Sequence, residues 1–545
     1  MESKHSSDET SNYDVVVVGS GAAGLVAAIT AHDRGLKTVV LERTDKFGGA
    51  TSASGGMVWI PLNHHMKEVR IADSKEEAMT YIRCISCGRV DEDVIEAFVD
   101  AGASMLRYIE DQTPVRMVPS LMPDYRPDRP GSKPGGRSLC ADLFESTRLG
   151  EWADKLRPAP LTFLPITIEE LYGKWHALTN PRKIPWDIIN ARRKKNILGC
   201  GRALAAALFK GCLDRSIPVL LETKAQKLIT EQGQVTGLVA ERNGKKINML
   251  AGRGVILASG GFEWNENYKR QFLPGLLTHP ITPPFCGEGD GLKMAMEVGA
   301  DLCNMTEPWG LVAAQIPGEE EEGKPLSYNL VIERSIPHSI LVNRSGRRFV
   351  NESCNYNDLY RAFNTFNPST YEYANLPAWL IFDKNYREKY LCVKVMPHHP
   401  DPDWLVRDDT LTRLAGQIGV NAENFENTVS RFNRFAAEGR DPDFLRGDNI
   451  YDRYNGDPDH GPNPCLGPIE KPPFYALPVY PGSCGTKGGA KVNTRGQVVG
   501  VNGEPIKGLY AAGNVMGGVT GPGYGGAGGT IGPAMTWGYI CASNI

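Results

Sequence analysis

The chain has 545 residues, 41% of them apolar and 23% charged, with a net charge of −3. That length exceeds one ordinary core, and the near-balanced charge gives no footing for nucleic acid as a partner. No run of about 18 apolar residues occurs, so no membrane-spanning helix is expected. The twelve cysteines form no framework and read as reduced thiols, which suits a cytoplasmic protein.

In chain order, residues 1–12 are polar, lack the apolar core of a signal peptide and read as disordered. The next twelve, YDVVVVGSGAAG, read as a buried parallel strand (Val15 to Val18), a tight turn at Gly19 and a helix over 22–34. Gly21 lets a pyrophosphate approach the backbone, and Gly24 lets the helix pack on the strand. The helix start offers unpaired N–H groups and its positive dipole end to phosphates. A second strand pattern, LKTVVLER, closes on Glu42, where the carboxylate that binds an adenosine ribose is expected. These features define a dinucleotide-binding unit. His64/His65 and His398/His399 come as pairs, but no third metal ligand stands at a suitable spacing, so surface or loop roles and no metal are expected. Cys84 and Cys87 form a C-x-x-C in a helical stretch with no second pair nearby, which reads as structural thiols.

Further along, 122–137 is rich in Pro and Gly and reads as an irregular loop. The apolar stretch 197–209 reads as a core helix. Alternating strand patterns at 234–240 and 245–250 precede a strand–turn signal, RGVILASGG, at 253–261. The acidic run 319–322 reads as a solvated loop, and 422–438 as an amphipathic helix. Near the C-terminus, 509–511 reads as a strand end with a turn at Gly513, followed by a helix from about Gly532 to the end. Pieces of one dinucleotide fold therefore lie at both ends of the sequence. The fold expected is α/β: a Rossmann-like domain split into 13–313 and 486–545, with an inserted α+β capping domain at 314–485. Two sequential domains would leave 508–515 without a sheet.

Several segments in order carry a more specific signal: GSGAAG (19–24), FGGATSASGG (47–56), VILASGGF (255–262), GEGDG (287–291), LVNRSGRRFVNE (341–352), GTKGG (485–489) and the C-terminal glycine cluster. With them the chain resembles the flavoproteins of the fumarate reductase and 3-ketosteroid dehydrogenase superfamily over nearly its whole length. The resemblance implies FAD, and no cysteine or histidine stands in a recognised flavin-attachment context, so the cofactor is expected to be non-covalent. It implies a cradle from Gly19, Gly21, Ala22, Ala23, Gly24, Glu42 and Arg43. Gly48, Gly49, Thr51, Ser52, Ser54, Gly55, Gly56 and Met57 would line the pyrophosphate and the isoalloxazine. Ala225, Ala258, Ser259, Gly260, Gly513, Asn514, Thr530 and Ile531 would complete the site, with Asn514 near the ribityl chain where many FAD enzymes carry Asp or Glu.

The branch is read from missing cations. In the fumarate reductases a catalytic arginine falls four residues after the glutamate of RFxNE; here that glutamate is Glu352 and the later position is Tyr356. A second arginine, in an NRLGG-like segment, is replaced by Tyr524 of GYGG, and a histidine of HTxGG by Cys484 or Gly485. A dicarboxylate buried there would lack compensating charge, so the site suits a neutral carbonyl compound. The chain is most similar to the 3-ketosteroid 1-dehydrogenases: PDY at 123–125, Tyr356 after NESCN, YGGAG at 524–528, YDRYNGDP at 451–458 and PPFYA at 472–476. It departs at Asn355, where that branch carries proline.

The resemblance implies removal of two hydrogens beside a ring ketone. Tyr524 O–H and the Gly528 N–H would stabilise the carbonyl oxygen, Tyr356 would take the α-proton, and the hydride would pass to flavin N5. Tyr125 would lower the pKa of Tyr356 by hydrogen bonding. A phenol near its ordinary pKa of about 10 is a poor base at neutral pH, so either the tyrosinate is stabilised or proton transfer is coupled to hydride loss. Arg348 and Glu352 would stabilise a loop. The expected partners are a small hydrophobic ketone and, since no nicotinamide motif occurs, an external acceptor such as a quinone. A ring-shaped hydrophobic substrate leaves room for peripheral membrane contact. Three alternatives stand beside this reading. One is a smaller cyclic ketone, with the bulky Trp152, Phe163, Trp175 and Trp186 trimming the pocket. The others are an ene-reductase and an FAD-binding protein without turnover.

Overall fold

The computed structural model describes residues 9–160, 164–275 and 278–545; residues 1–8, 161–163 and 276–277 lie outside the described residues. Val15 to Val18 pair in parallel on both sides, with Thr38 to Leu41 and with Gly254 to Leu257. A run of four valines suits this position, because a central parallel strand is buried on both faces. The strand β1 (Glu9–Val18), the helix α1 (Ala22–Asp33) and the strand β2 (Thr38–Leu41) start the first sheet. Its order is Gln497–Val499, Pro505–Ala511, Lys245–Leu257, β1, β2, Val219–Leu220. β1 starts earlier than the sequence suggests: residues 9–12, expected to be disordered, pair with Ile247 to Leu250, since a backbone ladder needs no apolar side chains.

The C-terminal segment returns to this sheet, with Leu509 and Ala511 opposite Val255 and Leu257. The final helix, Ile531–Asn544, packs on α1 so closely that a Cβ at Gly538 would lie 2.3 Å from the Ala23 carbonyl oxygen. α1 is buried almost completely. The apolar stretch near 200 divides into a short strand, Ile197–Leu198, and a buried helix, Cys200–Asp214. Among the described residues no helix is long and apolar enough to cross a membrane.

A second sheet takes the order Lys324–Asn329, Pro308–Glu321, Phe474–Thr486, Ala378–Phe382, Ser339–Asn343, with His279–Pro280 and Val406–Asp408 added to Phe474–Thr486. The boundary expected at 313/314 falls inside the strand Pro308–Glu321, so we propose that the capping domain begins at Pro308. The acidic run is not a loop. It closes a hairpin, and Glu319 is held by Tyr328 and Lys394. The helix Ala422–Glu438 buries Phe425, Val429, Phe432 and Ala436 against Ile340, Val342 and Ile381 of this sheet.

Residues 122–137 carry neither helix nor strand, yet they are rigidly tied. Asp124 accepts from Trp59 Nε1 at 2.8 Å, from the Lys133 amide at 2.9 Å and from Arg137 at 2.8 Å, and Arg137 also pairs with Asp73 at 2.6 Å. This buried knot sets the position of the next residue, Tyr125. Opposite it, the helix Tyr356–Phe363 begins at Asn355, whose Oδ1 accepts the Asp358 amide at 3.0 Å and whose Nδ2 donates to the Tyr125 carbonyl at 3.2 Å. Asparagine at this position is thus an N-cap that also clamps the two loops together.

Candidate active site

Three tyrosines from three distant segments meet on the wall of one cavity. Tyr125 Oη donates to Tyr356 Oη at 3.0 Å. The ring centroids lie 5.4 Å apart for Tyr125–Tyr356, 5.0 Å for Tyr125–Tyr524 and 5.6 Å for Tyr356–Tyr524. The Tyr125 amide donates to the Gly525 carbonyl at 3.0 Å, and Tyr81 Oη donates to the same oxygen at 2.8 Å, so the first and last segments are stitched directly. Tyr524 Oη bonds Thr530 Oγ1 at 2.9 Å. Gly528 stands at φ +94°, with Val58 Cα 2.5 Å from where a Cβ would be, so a side chain there collides with backbone. Its N–H donates to no protein atom among the described residues.

Burial raises the pKa of all three phenols well above the ordinary tyrosine value. For Tyr356, Tyr125, Tyr524 and Cys484 add to that effect. The lowering expected of Tyr356 is therefore not found: the hydrogen bond that Tyr125 donates does not offset its desolvation.

A cavity of about 1000 Å³ runs past these residues. One arm follows Glu42 and Arg43, the Gly19–Ala23 turn, Gly49, Thr51, Ser54, Gly55, Ala225, Ala258 to Gly260, Gly513, Asn514, Thr530 and Ile531 to Met57. The other is an apolar lobe walled by Leu164, Leu171, Tyr172, Leu178, Val331 and Met396. The first arm fits FAD. Gly19 is at φ +111°, a Cβ there would lie 2.4 Å from the Ala258 carbonyl oxygen, and Gly21 opens onto the cavity with Thr51 Oγ1 no nearer than 3.6 Å. Ser259 Oγ and Glu263 Oε2 are buried on this wall with no protein partner. Burial raises the Glu263 carboxyl to about 7.

Not every expected cofactor residue reaches the cavity. Ser52 is fully buried and donates to the Arg157 carbonyl at 2.6 Å. Gly56 is pressed on Cys200, and Gly48 packs on Ser52 and Ala205, so these three shape the wall from behind. Gly24 lies under the turn, where a Cβ would strike the Gly19 oxygen at 2.0 Å. Glu42 lines the cavity while its oxygens already accept from Ser20 Oγ at 2.5 Å and the Thr44 amide at 3.0 Å. Arg43 is tied to Glu288 and Asp290 at 3.0 and 2.7 Å. Asn514 Oδ1 accepts from Trp309 Nε1 at 3.1 Å.

Of the bulky residues expected to trim the pocket, Trp186 lines the cavity, whereas Trp152 packs on Phe47 and Phe209. Trp175 lies beneath Arg192, and Phe163 lies outside the described residues. Cys484, not Gly485, faces the cavity. Arg348 holds Glu352 and Asp441 at 2.6 and 2.7 Å, away from it. Cys84 and Cys87 are free thiols.

The histidine pair has a third neighbour that sequence spacing did not reveal. Glu110 Oε2 lies 3.1 Å from His64 Nε2 and 2.9 Å from His65 Nε2, a grouping able to hold a metal ion. His64 Nδ1 is buried without a partner, however, whereas a metal-ligating histidine donates its other N–H to an acceptor. An ion-pair reading accounts for the contacts better. Sequence reasoning also passed over Trp309, whose ring lies 4.7 Å from Tyr524, Tyr451 at 5.1 Å from Tyr125, and Lys487 of the GTKGG segment. A lone charge among glycines was the available signal for Lys487.

The match to known proteins agrees with this geometry. The chain belongs to the FAD binding domain family, whose model covers residues 14–531. Within it, the protein is an FAD-dependent oxidoreductase of the ketosteroid dehydrogenase type, acting on a CH–CH bond beside a ketone. It is 42% identical to the 4-oxocyclohexanecarboxylate 2-dehydrogenase of Sinomonas cyclohexanicum over 98% of this chain and 93% of that one. It is 39% identical to the 3-oxosteroid 1-dehydrogenase of Mycolicibacterium smegmatis over 98% and 97%. Among solved structures, it resembles the 3-ketosteroid delta1-dehydrogenase of Sterolibacterium denitrificans in complex with 1,4-androstadiene-3,17-dione. That match has TM-score 0.91 and 38% identity, and covers 98% of this chain and 99% of the other.

Proposed function

We propose that the protein is a 3-ketosteroid 1-dehydrogenase, which introduces the 1,2 double bond next to the ring ketone. The observation that carries this reading is the convergence of Tyr125, Tyr356, Tyr524 and the free N–H of Gly528 beside the FAD arm, at the head of a long apolar lobe. Tyr524 O–H and the Gly528 N–H bind the carbonyl oxygen and stabilise the charge that develops on it, which acidifies the neighbouring C–H. Tyr356 takes the α-proton, while the Tyr125 hydroxyl, 3.0 Å away, orients it. Because burial disfavours tyrosinate, only the fraction of Tyr356 that has already given up its own proton acts as the base, and reversible removal of the α-proton precedes departure of the β-hydride. Bound FAD supplies the hydride acceptor, and an external acceptor such as a quinone reoxidises it.

A smaller ring ketone is the second reading, favoured by the 42% relative. The lining argues for the larger substrate. Among the described residues, the three cations on the cavity wall, Arg43, Lys224 and Lys394, are each paired with a carboxylate. A small ring bearing a carboxylate would find none of them unpaired, whereas the apolar lobe suits a polycyclic body. A fumarate-type reduction meets the same obstacle. Anaerobic mixing of the FAD-loaded enzyme with 3-ketosteroids and with 4-oxocyclohexanecarboxylate tests this. Bleaching of the flavin absorbance by the steroids is expected; bleaching only by the small acid overturns it.

A further inference from the structure

Behind the tyrosines, and not on the cavity wall, lies a lysine with no exposed surface. Lys487 Nζ donates to Asn357 Oδ1, the Pro522 carbonyl and the Gly523 carbonyl, each at 2.8 Å. Three acceptors match the three N–H bonds of an ammonium. Their places in the chain are telling. Asn357 directly follows Tyr356, and Pro522 and Gly523 directly precede Tyr524. The ammonium also stands 4.6 Å over the Trp309 ring and 6.0 Å from the Tyr524 ring. Trp309 in turn packs edge-on against Tyr524 and donates to Asn514 on the FAD arm.

The charge is held at a cost. Burial, and after it the nearby Arg361, bring this amine down to about 7, against the opposing effect of Glu307, Asp358 and Cys484. A buried charge is costly unless it is hydrogen-bonded, and the three acceptors at Tyr356's and Tyr524's neighbours meet that condition here. Arg361 already bonds the Pro522 carbonyl at 2.7 Å, so that carbonyl has a donor without the lysine.

We propose that Lys487 is a positioning residue of the dehydrogenation, whose ammonium locks the proton-abstracting Tyr356 and the carbonyl-binding Tyr524 in one geometry and places a positive charge behind the carbonyl oxygen's binding site. This rests on the roles assigned to those tyrosines under Proposed function. Both effects act when negative charge gathers on the substrate, so they affect kcat more than KM.

The test compares Lys487→Met and Lys487→Arg with the wild type, all FAD-loaded, on an accepted 3-ketosteroid. It reads kcat, KM, exchange of the α-proton with deuterated water, and the melting temperature. For Lys487→Met, kcat and exchange are expected to fall together by about 100-fold, as for loss of a preorganised carbonyl-stabilising group, with KM changed by less than threefold. Lys487→Arg, which keeps the charge, should recover about tenfold of that loss. A Lys487→Met enzyme with wild-type kcat and exchange overturns the proposal. So do equal losses in both variants that track melting temperature, because packing alone then explains them. Should Lys487→Met fail to retain FAD, Asn357→Leu decides: it removes one acceptor from the ammonium and should lower kcat about tenfold at unchanged KM. An unchanged kcat there overturns the proposal. A wild type that exchanges no α-proton of any ketone removes the functional reading itself. A wild type that exchanges, with Lys487→Met matching it, removes only the role of Lys487.

Discussion

Tyr356 and Tyr524 are close neighbours with different work, and their substitutions should separate. Tyr524→Phe removes a donor to the carbonyl oxygen, which typically costs about 10²–10³ in rate. It should also weaken binding of a ketone product or a phenolic analogue. Tyr356→Phe removes the proton acceptor while leaving the carbonyl contacts, so α-proton exchange should vanish with analogue binding largely kept. FAD content should be unchanged in both, since neither phenol belongs to the FAD arm. Near-normal exchange by Tyr356→Phe would exclude it as the base. Burial holds this phenol far above the ordinary tyrosine range, so the rate should rise with pH as the tyrosinate fraction grows and level off above about 7, where the Lys487 ammonium is lost in step. Tyr356→Phe should flatten that profile.

At the scale of elements, two short pieces have measurable consequences. Asn355 caps the helix Tyr356–Phe363 and bonds the Tyr125 carbonyl. Asn355→Ala should cost about 1 kcal/mol of stability, the usual value of a cap, and lower kcat by letting Tyr125 and Tyr356 drift apart. Urea unfolding alongside steady-state rates measures both, and a stability loss without a rate loss would deny the clamp. The second piece joins the turn His64–Lys67 to the helix Glu92–Gln112. The Glu110 hydrogen bond raises His65 above its ordinary pKa of 6.5, with burial opposing. Burial would raise Glu110, but its bonds to His65 and the Met117 amide outweigh that and lower it. A histidine raised in the folded state contributes stability that is complete below 6.5 and lost as pH rises through its folded value. His65→Gln should therefore lower the melting temperature more at pH 6 than at pH 9. Equal losses at both would rule out the charged pair.

Across the whole molecule, the cavity draws on the first sheet, the C-terminal segment and the capping sheet, so FAD holds together parts that are far apart in the chain. Ligand binding to the folded state alone raises stability by mass action. Adding FAD to the stripped protein should accordingly raise one cooperative melting transition; a rise confined to one of two transitions would indicate independent domains. The cofactor should also be freed by acid precipitation. The wall's two cysteines, Cys286 and Cys484, are each raised to about 12 by burial and stay thiols, which are poor nucleophiles toward a flavin. Yellow colour retained in the pellet would contradict this.

What was legible in the chain beforehand is what short-range chemistry enforces. Four valines, a glycine turn and a helix start leave one arrangement open to residues 15–33, and the periodicity at 422–438 marks the same helix that the structure contains. The three tyrosines were legible too, but only as motif positions, because nothing local distinguishes them from the other tyrosines among the chain's 20. Their meeting, the reversal of the pKa expected for Tyr356, the retreat of Ser52 behind the wall, the third neighbour of His64 and His65, and the burial of Lys487 all depend on residues far away in sequence. Desolvation is a property of what surrounds a group in space. The α/β class and the dinucleotide turn could therefore be read from the sequence alone, whereas the tertiary structure decided which side chains are charged, which reach the cavity and which only hold others in place.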